Sequence, residues 1–510
     1  MQQRKGVDLP LWVRRIALAV FVVGFSLYFL RFTVDGLNSW FSGDDLMNMH
    51  YYWVRSWAEV LRANVIFTSD FYRPMGGLFC KGLYSLWGFQ PGPYRVATLI
   101  VVVLNVGLLF LVVRNLASSV EVGAVSVLLT GLNESFVSIY YDTGMIYDVL
   151  AFFFYYSALY YYLLIRQRGK LPSFRQSAFV LILLIASLNS KEISVSLPVA
   201  LLVYELLWNP PRNFRRGRFL DSLRQWSIGP GRVALLGGVV VAAYMAGKYL
   251  GKDSLFQLDA YRPEPSGILF LTNYAFYLNA LFLGTFRFSP GIVAGVLVAL
   301  PALGCVFGKR HLVMAGIMAS VSFLPLAFIP ARGGFALYVP SLYWSLWIAG
   351  MLVASRVYLV TIVVDGLGHW KRELPRRGLT FGLELASSAV LWLGLACIVI
   401  PKNNYAFDQV LSIVNEIQNR NLGYATQIRK CLPQVPKGSR ILLVDDPYPE
   451  DPFIPLFLIR ETYDDTTLLV DRSRSLRLQG VEQYLDSYDL TVSYSEERCQ
   501  VTWLPPRTRE

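Results

Sequence analysis

Residues 11–46 read LWVRRIALAVFVVGFSLYFLRFTVDGLNSWFSGDDL. The run Leu11–Phe32 has the length of a helix that crosses bilayer hydrocarbon, about 17–25 residues. No small-residue cleavage site follows it, so it reads as a retained helix rather than a signal peptide. Arg4, Lys5, Arg14 and Arg15 cluster at its start, which puts the N-terminus in the cytoplasm. About a dozen residues past its end stand two adjacent carboxylates, Asp44-Asp45. Ionisable groups in or near a bilayer are costly, and are functional candidates for that reason.

The rest of the chain has the same character. Of its 510 residues, 54% are hydrophobic and 16% charged, where a soluble protein carries about 25% charge. Further apolar runs fall at 96–113, 122–140, 148–165, 176–190, 193–208, 233–250, 291–307, 312–330, 338–355 and 379–400. The prediction is a polytopic all-α membrane protein with about eleven transmembrane helices. The runs lack strand-like alternation, which argues against a barrel. The net charge of +12 does not indicate a nucleic-acid partner, because the excess lies in short loops between runs. Arg114, Arg166, Arg168, Lys170, Arg175, Arg212, Arg215, Arg216, Arg218, Lys309, Arg310, Lys371 and Arg372 all fall on the assigned inner side. That is the positive-inside pattern, and an odd number of spans sends the C-terminus outside.

Residues 1–400 therefore form a membrane domain with a first outer loop at about 33–95. The short runs 176–190 and 193–208 meet at Lys191-Glu192, a hairpin expected to open into a protein cavity rather than lipid. The apolar stretch 267–284, inside an outer loop, is expected to lie near the outer interface. From Lys402 the composition becomes that of a soluble domain. Phe407–Leu432 has helical periodicity, and Arg440–Val444 and Thr466–Val470 are β-rich. Residues 401–510 are thus expected to be a small extracytoplasmic α/β domain. Cys431 and Cys499 fall in it and are a possible disulfide.

After the acid pair come an aromatic amphipathic stretch, Met47–Arg62, and the rigid basic turn Phe71-Tyr72-Arg73-Pro74. Acid pair, interfacial helix and arginine suit a reaction on an anionic lipid at the membrane surface, since the arginine fork binds phosphate bidentately. On these residues the chain resembles the GT-C superfamily of membrane glycosyltransferases, nearest the protein O-mannosyltransferases and the aminoarabinose transferases. The carboxylate pair after the first span matches that family's first outer loop, and Arg73 sits where relatives place a phosphate-binding cation. Asn133-Glu134-Ser135, Tyr141-Asp142 and Tyr147-Asp148 resemble its second outer loop. Ser190-Lys191-Glu192 with Leu197-Pro198, and Arg332 with Tyr338-Val339-Pro340-Ser341, resemble two further segments. Asn133 departs from the pattern, standing where histidine is frequent. The Trp-Trp-Asp-Tyr-Gly motif of oligosaccharyltransferases is absent, which implies transfer of something smaller than a whole oligosaccharide.

The resemblance implies inverting transfer of a sugar from a polyprenyl-phosphate carrier to an acceptor hydroxyl of a protein, glycan or lipid. Asp44 is the expected general base and Asp45 its partner, with the reverse order open. Arg73, Lys191 and Arg332 are the expected phosphate ligands. Glu134, Asp142, Asp148, Glu192 and Tyr338 are expected to hold sugar or acceptor. Lys191 and Glu192 are read either as an ion pair with one another or, for Lys191, as a phosphate contact. Only three histidines occur and none has zinc-ligand spacing. No metal or other cofactor is expected, although the acids could hold a divalent cation. The implied setting is a bacterial inner membrane. The competing reading is a transporter or lipid flippase with a structural outer domain, which would gather its charges at mid-membrane along a through-path rather than at the outer face.

Overall fold

The computed structural model describes residues 11–68, 70–211, 219–250, 254, 257, 259–282, 284, 286–370, 376–449, 451, 453–478, 487–495 and 498–504. The cations Arg4, Lys5, Arg212, Arg215, Arg216, Arg218, Lys371 and Arg372, used above for orientation, lie outside these residues.

The chain opens with α1 (Leu11–Gly36). Four helices of the first outer loop and second span follow: α2 (Gly43–Trp53), α3 (Trp57–Val65), α4 (Pro74–Trp87) and α5 (Pro91–Ala117). Met47–Arg62, read as one amphipathic stretch, divides between α2 and α3, each started by its own serine capping box at Ser42 and Ser56. Proline opens α4 and α5, where its missing N–H is no loss. Next come α6 (Val120–Gly131), α7 (Ser138–Tyr141), α8 (Ile146–Gln167), α9 (Phe174–Ser190) and α10 (Leu197–Trp208). They are followed by α11 (Phe219–Ile228), α12 (Arg232–Tyr249), α13 (Gly267–Leu281), α14 (Pro290–Val306), α15 (Arg310–Val321), α16 (Leu324–Ala327) and α17 (Ser341–Trp370).

Most expected spans fall on one helix each, but 122–140 divides between α6 and α7, and 312–330 between α15 and α16. Among the described residues six helices are long and apolar enough to cross a membrane, and seven if the bent pair α11 and α12 is one span. α6, α9, α13 and α14 are shorter apolar helices. One core holds the bundle together, with Tyr155, Tyr156, Tyr162, Leu188, Leu197, Met314 and Tyr343 fully buried. α13 buries Tyr274, Tyr277 and Leu278 in that same core.

The last helix, α18 (Arg376–Cys431), has 56 residues and runs straight through position 400, with Pro401 inside it. The composition change at Lys402 thus marks a change of surroundings along one helix, not a chain break. Beyond it lie β1 (Arg440–Asp445), α19 (Ile454–Thr462), β2 (Leu469–Arg472), α20 (Ser473–Leu478), β3 (Leu490–Ser495) and β4 (Arg498–Trp503). The sheet order is β2-β1-β3-β4, with β1 parallel to both neighbours and β3 antiparallel to β4. Cys431, ending α18, is disulfide-bonded to Cys499 of β4.

A second core joins the two regions. Phe41, Leu46, Met49 and Tyr94 of the membrane domain are buried together with Tyr424, Ile428, Ile441, Leu458 and Val492. α19 packs on α2, the helix that carries the acid pair.

Candidate active site

The acid pair begins α2. Ser42 is its N-cap: the hydroxyl accepts from Asp45 N (3.2 Å), and Asp45 Oδ2 accepts from Ser42 N (2.9 Å). That reciprocal box turns Asp45 inward. Its Oδ2 also accepts from Arg95 Nη2 at 2.8 Å. The same guanidinium donates to Thr143 Oγ1 (2.7 Å), Ser39 O (3.3 Å) and Trp40 O. Asp45 is thus a buried, paired structural acid, and among the described residues its other oxygen, Oδ1, has no hydrogen-bond partner.

Asp44 faces the other way. No hydrogen bond to a described residue ties its carboxylate. It is exposed and lines two cavities. Burial raises its pKa above the usual carboxylate value, with the charges of Asp45 and Asp451 adding and that of Arg73 opposing. Gly144 is obligatory beside it: a Cβ there would stand 2.6 Å from Asp44 Cβ and 2.9 Å from Asp142 Oδ1. Asp142 therefore flanks the same point. Its Oδ1 accepts from Ser42 Oγ (2.9 Å) and Gly144 N (2.8 Å). Burial, then the Asp45 and Asp44 charges, hold its pKa well above the ordinary range.

The first cavity, of about 270 Å³, runs from Asp44 to a group of cations. Arg73 meets Glu192 bidentately (2.8 and 3.2 Å), and Lys191 meets both oxygens of Asp148 at 2.6 Å. The expected Lys191–Glu192 pair is therefore not formed: the two residues face different partners, because Lys191 ends α9 in an extended conformation and neighbouring side chains on extended backbone point apart. Arg332 completes the group, its guanidinium 4.3 Å over the Tyr261 ring. Arg73 lies 4.5 Å over Tyr72, whose hydroxyl is 3.3 Å from that of Tyr261. Apolar Ile193, Leu326, Ile329 and Phe335 fill the remaining wall. Three cations, Arg73, Lys191 and Arg332, and three carboxylates, Asp44, Asp148 and Glu192, line this cleft.

Of the expected site residues, Asp44, Arg73, Asp148, Lys191, Glu192 and Arg332 thus line one cleft. Asp142 lines the second cavity instead. Tyr338 does not reach the cleft. It is buried against Phe136 and Phe152, where a ring ahead of a span is taken up by helix packing. The Glu134 side chain lies outside the described ones. Among the described residues no group of three or more His, Cys, Asp or Glu is placed to hold a metal ion.

Tyr147, Asn48 and Arg95 belong to the site although the sequence assigned no role to any of them. Tyr147 donates to Asn48 Oδ1 at 2.6 Å and forms cleft wall beside Arg73. Arg95 had a signal: a cation near the start of a long apolar helix is costly unless an anion meets it.

Comparison with known proteins bears on this geometry. Residues 73–221 match the family described as dolichyl-phosphate-mannose-protein mannosyltransferase. No curated protein matches the chain significantly. Among solved structures, the apo state of ArnT from Cupriavidus metallidurans aligns over 94% of each chain at 14% identity and a TM-score of 0.52. The archaeal oligosaccharyltransferase AglB from Archaeoglobus fulgidus, solved with an inhibitory peptide and a dolichol-phosphate, aligns over 95% of this chain and 70% of its own at 13% identity and a TM-score of 0.51. ArnT bound to undecaprenyl phosphate aligns over 96% and 99% at 14% identity, with a TM-score of 0.46. The shared feature is the fold.

Proposed function

From its place in the GT-C superfamily of membrane glycosyltransferases, we propose that the chain moves a sugar from a polyprenyl-phosphate carrier to an acceptor hydroxyl, with Asp44 as general base. The observation that carries the reading is the cleft itself. An unpaired carboxylate stands at one end, and three cations from three distant segments stand around the rest.

Ionised Asp44 takes the proton of the acceptor hydroxyl. The acceptor oxygen attacks the anomeric carbon from the face opposite the phosphate, so configuration inverts. The bond from that carbon to the phosphate oxygen breaks, and its electron pair leaves on the polyprenyl phosphate. A bound phosphodiester carries one negative charge, and Arg73, Lys191 and Arg332 are the cations of the cleft that can meet it. The departing phosphate gains a second negative charge, and Arg73, Lys191 and Arg332 are the groups that stabilise it as it develops. The leaving group needs little proton donation, and charge on the phosphate is met by side chains, so the scheme uses no metal. General-base assistance is worth about 10²–10⁴-fold, and the raised pKa of Asp44 makes it the stronger base. Asp45 acts by fixing the start of α2.

The apolar wall admits the carrier lipid. The acceptor is a hydroxyl on a protein, glycan or lipid. We place the protein in a bacterial inner membrane, with its N-terminus cytoplasmic and the sheet domain outside, on the charge pattern of its loops. The test is transfer of labelled sugar from polyprenyl-phosphate donors to membrane extracts by wild type and Asp44→Asn. Loss of at least about a hundredfold is expected; undiminished transfer by the variant removes Asp44 as the base.

A further inference from the structure

Asp44 has a second exposure that the donor cleft does not use. A separate cavity of about 540 Å³ is lined by Ser42, Asp44 and Asp142 on the membrane-domain side, by Ile417 and Arg420 of α18, and by Tyr448 and Asp451 next to the sheet. Its volume lies within the range of about 300–1,000 Å³ that accommodates a small ligand or one end of a chain.

The two cavities differ in chemistry. The donor cleft has three cations, Arg73, Lys191 and Arg332, beside its three carboxylates, and an apolar wall. The second has three carboxylates, Asp44, Asp142 and Asp451, against the single cation Arg420. A phosphorylated group entering it would meet net repulsion, whereas hydroxyl groups can donate to the carboxylates and accept from the guanidinium. Its place along α18 also matters. Phe407 packs on Phe32 at the end of the first apolar run, with ring centroids 4.3 Å apart. At 1.5 Å per residue, Arg420 stands about 20 Å further along the helix. The cavity's Arg420 wall therefore lies beyond the end of the first apolar run.

Its wall is built rather than incidental. Asp451 Oδ1 accepts from Phe453 N (2.8 Å) and Ile454 N (2.9 Å) at the start of α19. The Tyr448 hydroxyl donates to Asn421 Oδ1 at 2.8 Å, and Arg420 lies 5.0 Å over the Tyr448 ring.

We propose that this second cavity is the acceptor subsite, and that it takes an uncharged sugar hydroxyl of a water-exposed glycan, held by Arg420 and Asp451 so that the hydroxyl meets Asp44. The proposal rests on the transferase reading above. It gives the C-terminal domain a direct part in choosing the acceptor.

The experiment uses the full chain in nanodiscs, tritiated polyprenyl-phosphate mannose and glucose as donors, and cell-envelope extract afterwards separated into glycan, protein and lipid fractions. Label is expected in the glycan fraction. Arg420→Gln removes the fork, and Asp451→Asn removes the charge while keeping the oxygen that caps α19. Each is expected to raise the extract concentration for half-maximal transfer about tenfold or more. Ile417→Trp, which fills the cavity, is expected to block transfer. In all three variants undecaprenyl phosphate should still protect the chain against heat as in wild type, which shows the fold and donor cleft intact. Label confined to the protein or lipid fraction overturns the proposal, as does wild-type dependence on extract in all three variants. Undiminished transfer by Asp44→Asn overturns the base assignment instead, and leaves the dependence on Arg420 and Asp451 to be read separately.

Discussion

Arg73 shows how much the site demands of a single residue. It precedes Pro74, where backbone is normally extended, yet its φ is +37°. Such a left-handed conformation in a side chain larger than glycine costs on the order of 1–3 kcal/mol and persists only where surroundings impose it. Here the bidentate Glu192 contact and the burial of Tyr52 against the Tyr72 carbonyl (2.8 Å) impose it. Lys191 is held as tightly by Asp148. Removing one partner of a buried pair leaves an uncompensated charge, so Lys191→Met should destabilise the chain by about 3–5 kcal/mol. Adding Asp148→Leu should recover most of that stability in thermal unfolding. If Lys191 serves only to neutralise Asp148, the double variant regains transfer; a phosphate role predicts that it stays inactive, which is the expected outcome. Asp44 supplies a pH signature. It works ionised, so kcat at saturating acceptor falls as pH drops through its pKa, and that limb should lie above the ordinary aspartate value. Asp451 is one of the charges that raise it, so Asp451→Asn should move the limb to lower pH in a kcat–pH profile.

At the scale of elements, the start of α2 is the device that separates the two acids into different roles. The Ser42 box and Arg95 turn Asp45 inward, and helix geometry then turns Asp44 outward. Arg95→Met should lower kcat at least tenfold while undecaprenyl phosphate still binds, because the donor cleft does not include Arg95. Arg95→Lys should not restore it, since one ammonium cannot reproduce a planar fork that meets Asp45, Thr143 and two carbonyls. A structural role confined to folding would lower the yield of folded protein and leave kcat per folded molecule unchanged. The sequence showed the acid pair, the Arg73 turn and Lys191-Glu192, because charge beside long apolar runs is conspicuous. It did not show who pairs with whom: Asp45 and Arg95 are fifty residues apart, Asp148 and Lys191 forty-three, and only packing of α8 on α9 brings the latter together. β3 is legible in the sequence, with Leu490, Val492 and Tyr494 buried in alternation with Thr491 and Ser493, a period of two. The lengths of α6 and α14 were not legible. Apolar runs do not record where a helix ends inside protein.

On the scale of the whole molecule, the outer domain is not an appendage. α18 carries it straight out of the bundle, the Cys431–Cys499 disulfide fastens β4 to the end of that helix, and the second core seats α19 on α2. The domain thereby walls the cavity at Asp44 from above. Glu461 lies in this seam, 1% exposed, and neither carboxyl oxygen has a well-formed hydrogen bond. Burial, then the charge of Asp45, raise its pKa well above the usual glutamate value, with the His50 backbone offsetting only a part. Burial thus favours the protonated acid in the folded chain. The folded state binds more protons than the unfolded one once pH exceeds the unfolded pKa near 4.5, so the contribution of Glu461 to stability falls as pH rises from there toward the folded pKa. A glutamine has no charge to lose. Glu461→Gln should then leave stability near pH 4 unchanged, raise it at neutral and alkaline pH, and flatten its pH dependence. Thermal unfolding of wild type and variant between pH 4 and pH 9 measures this. A variant less stable than wild type at pH 8 would show that the buried carboxyl is ionised and paired across the seam, and that the outer domain is held onto α2 by charge rather than by its apolar contacts.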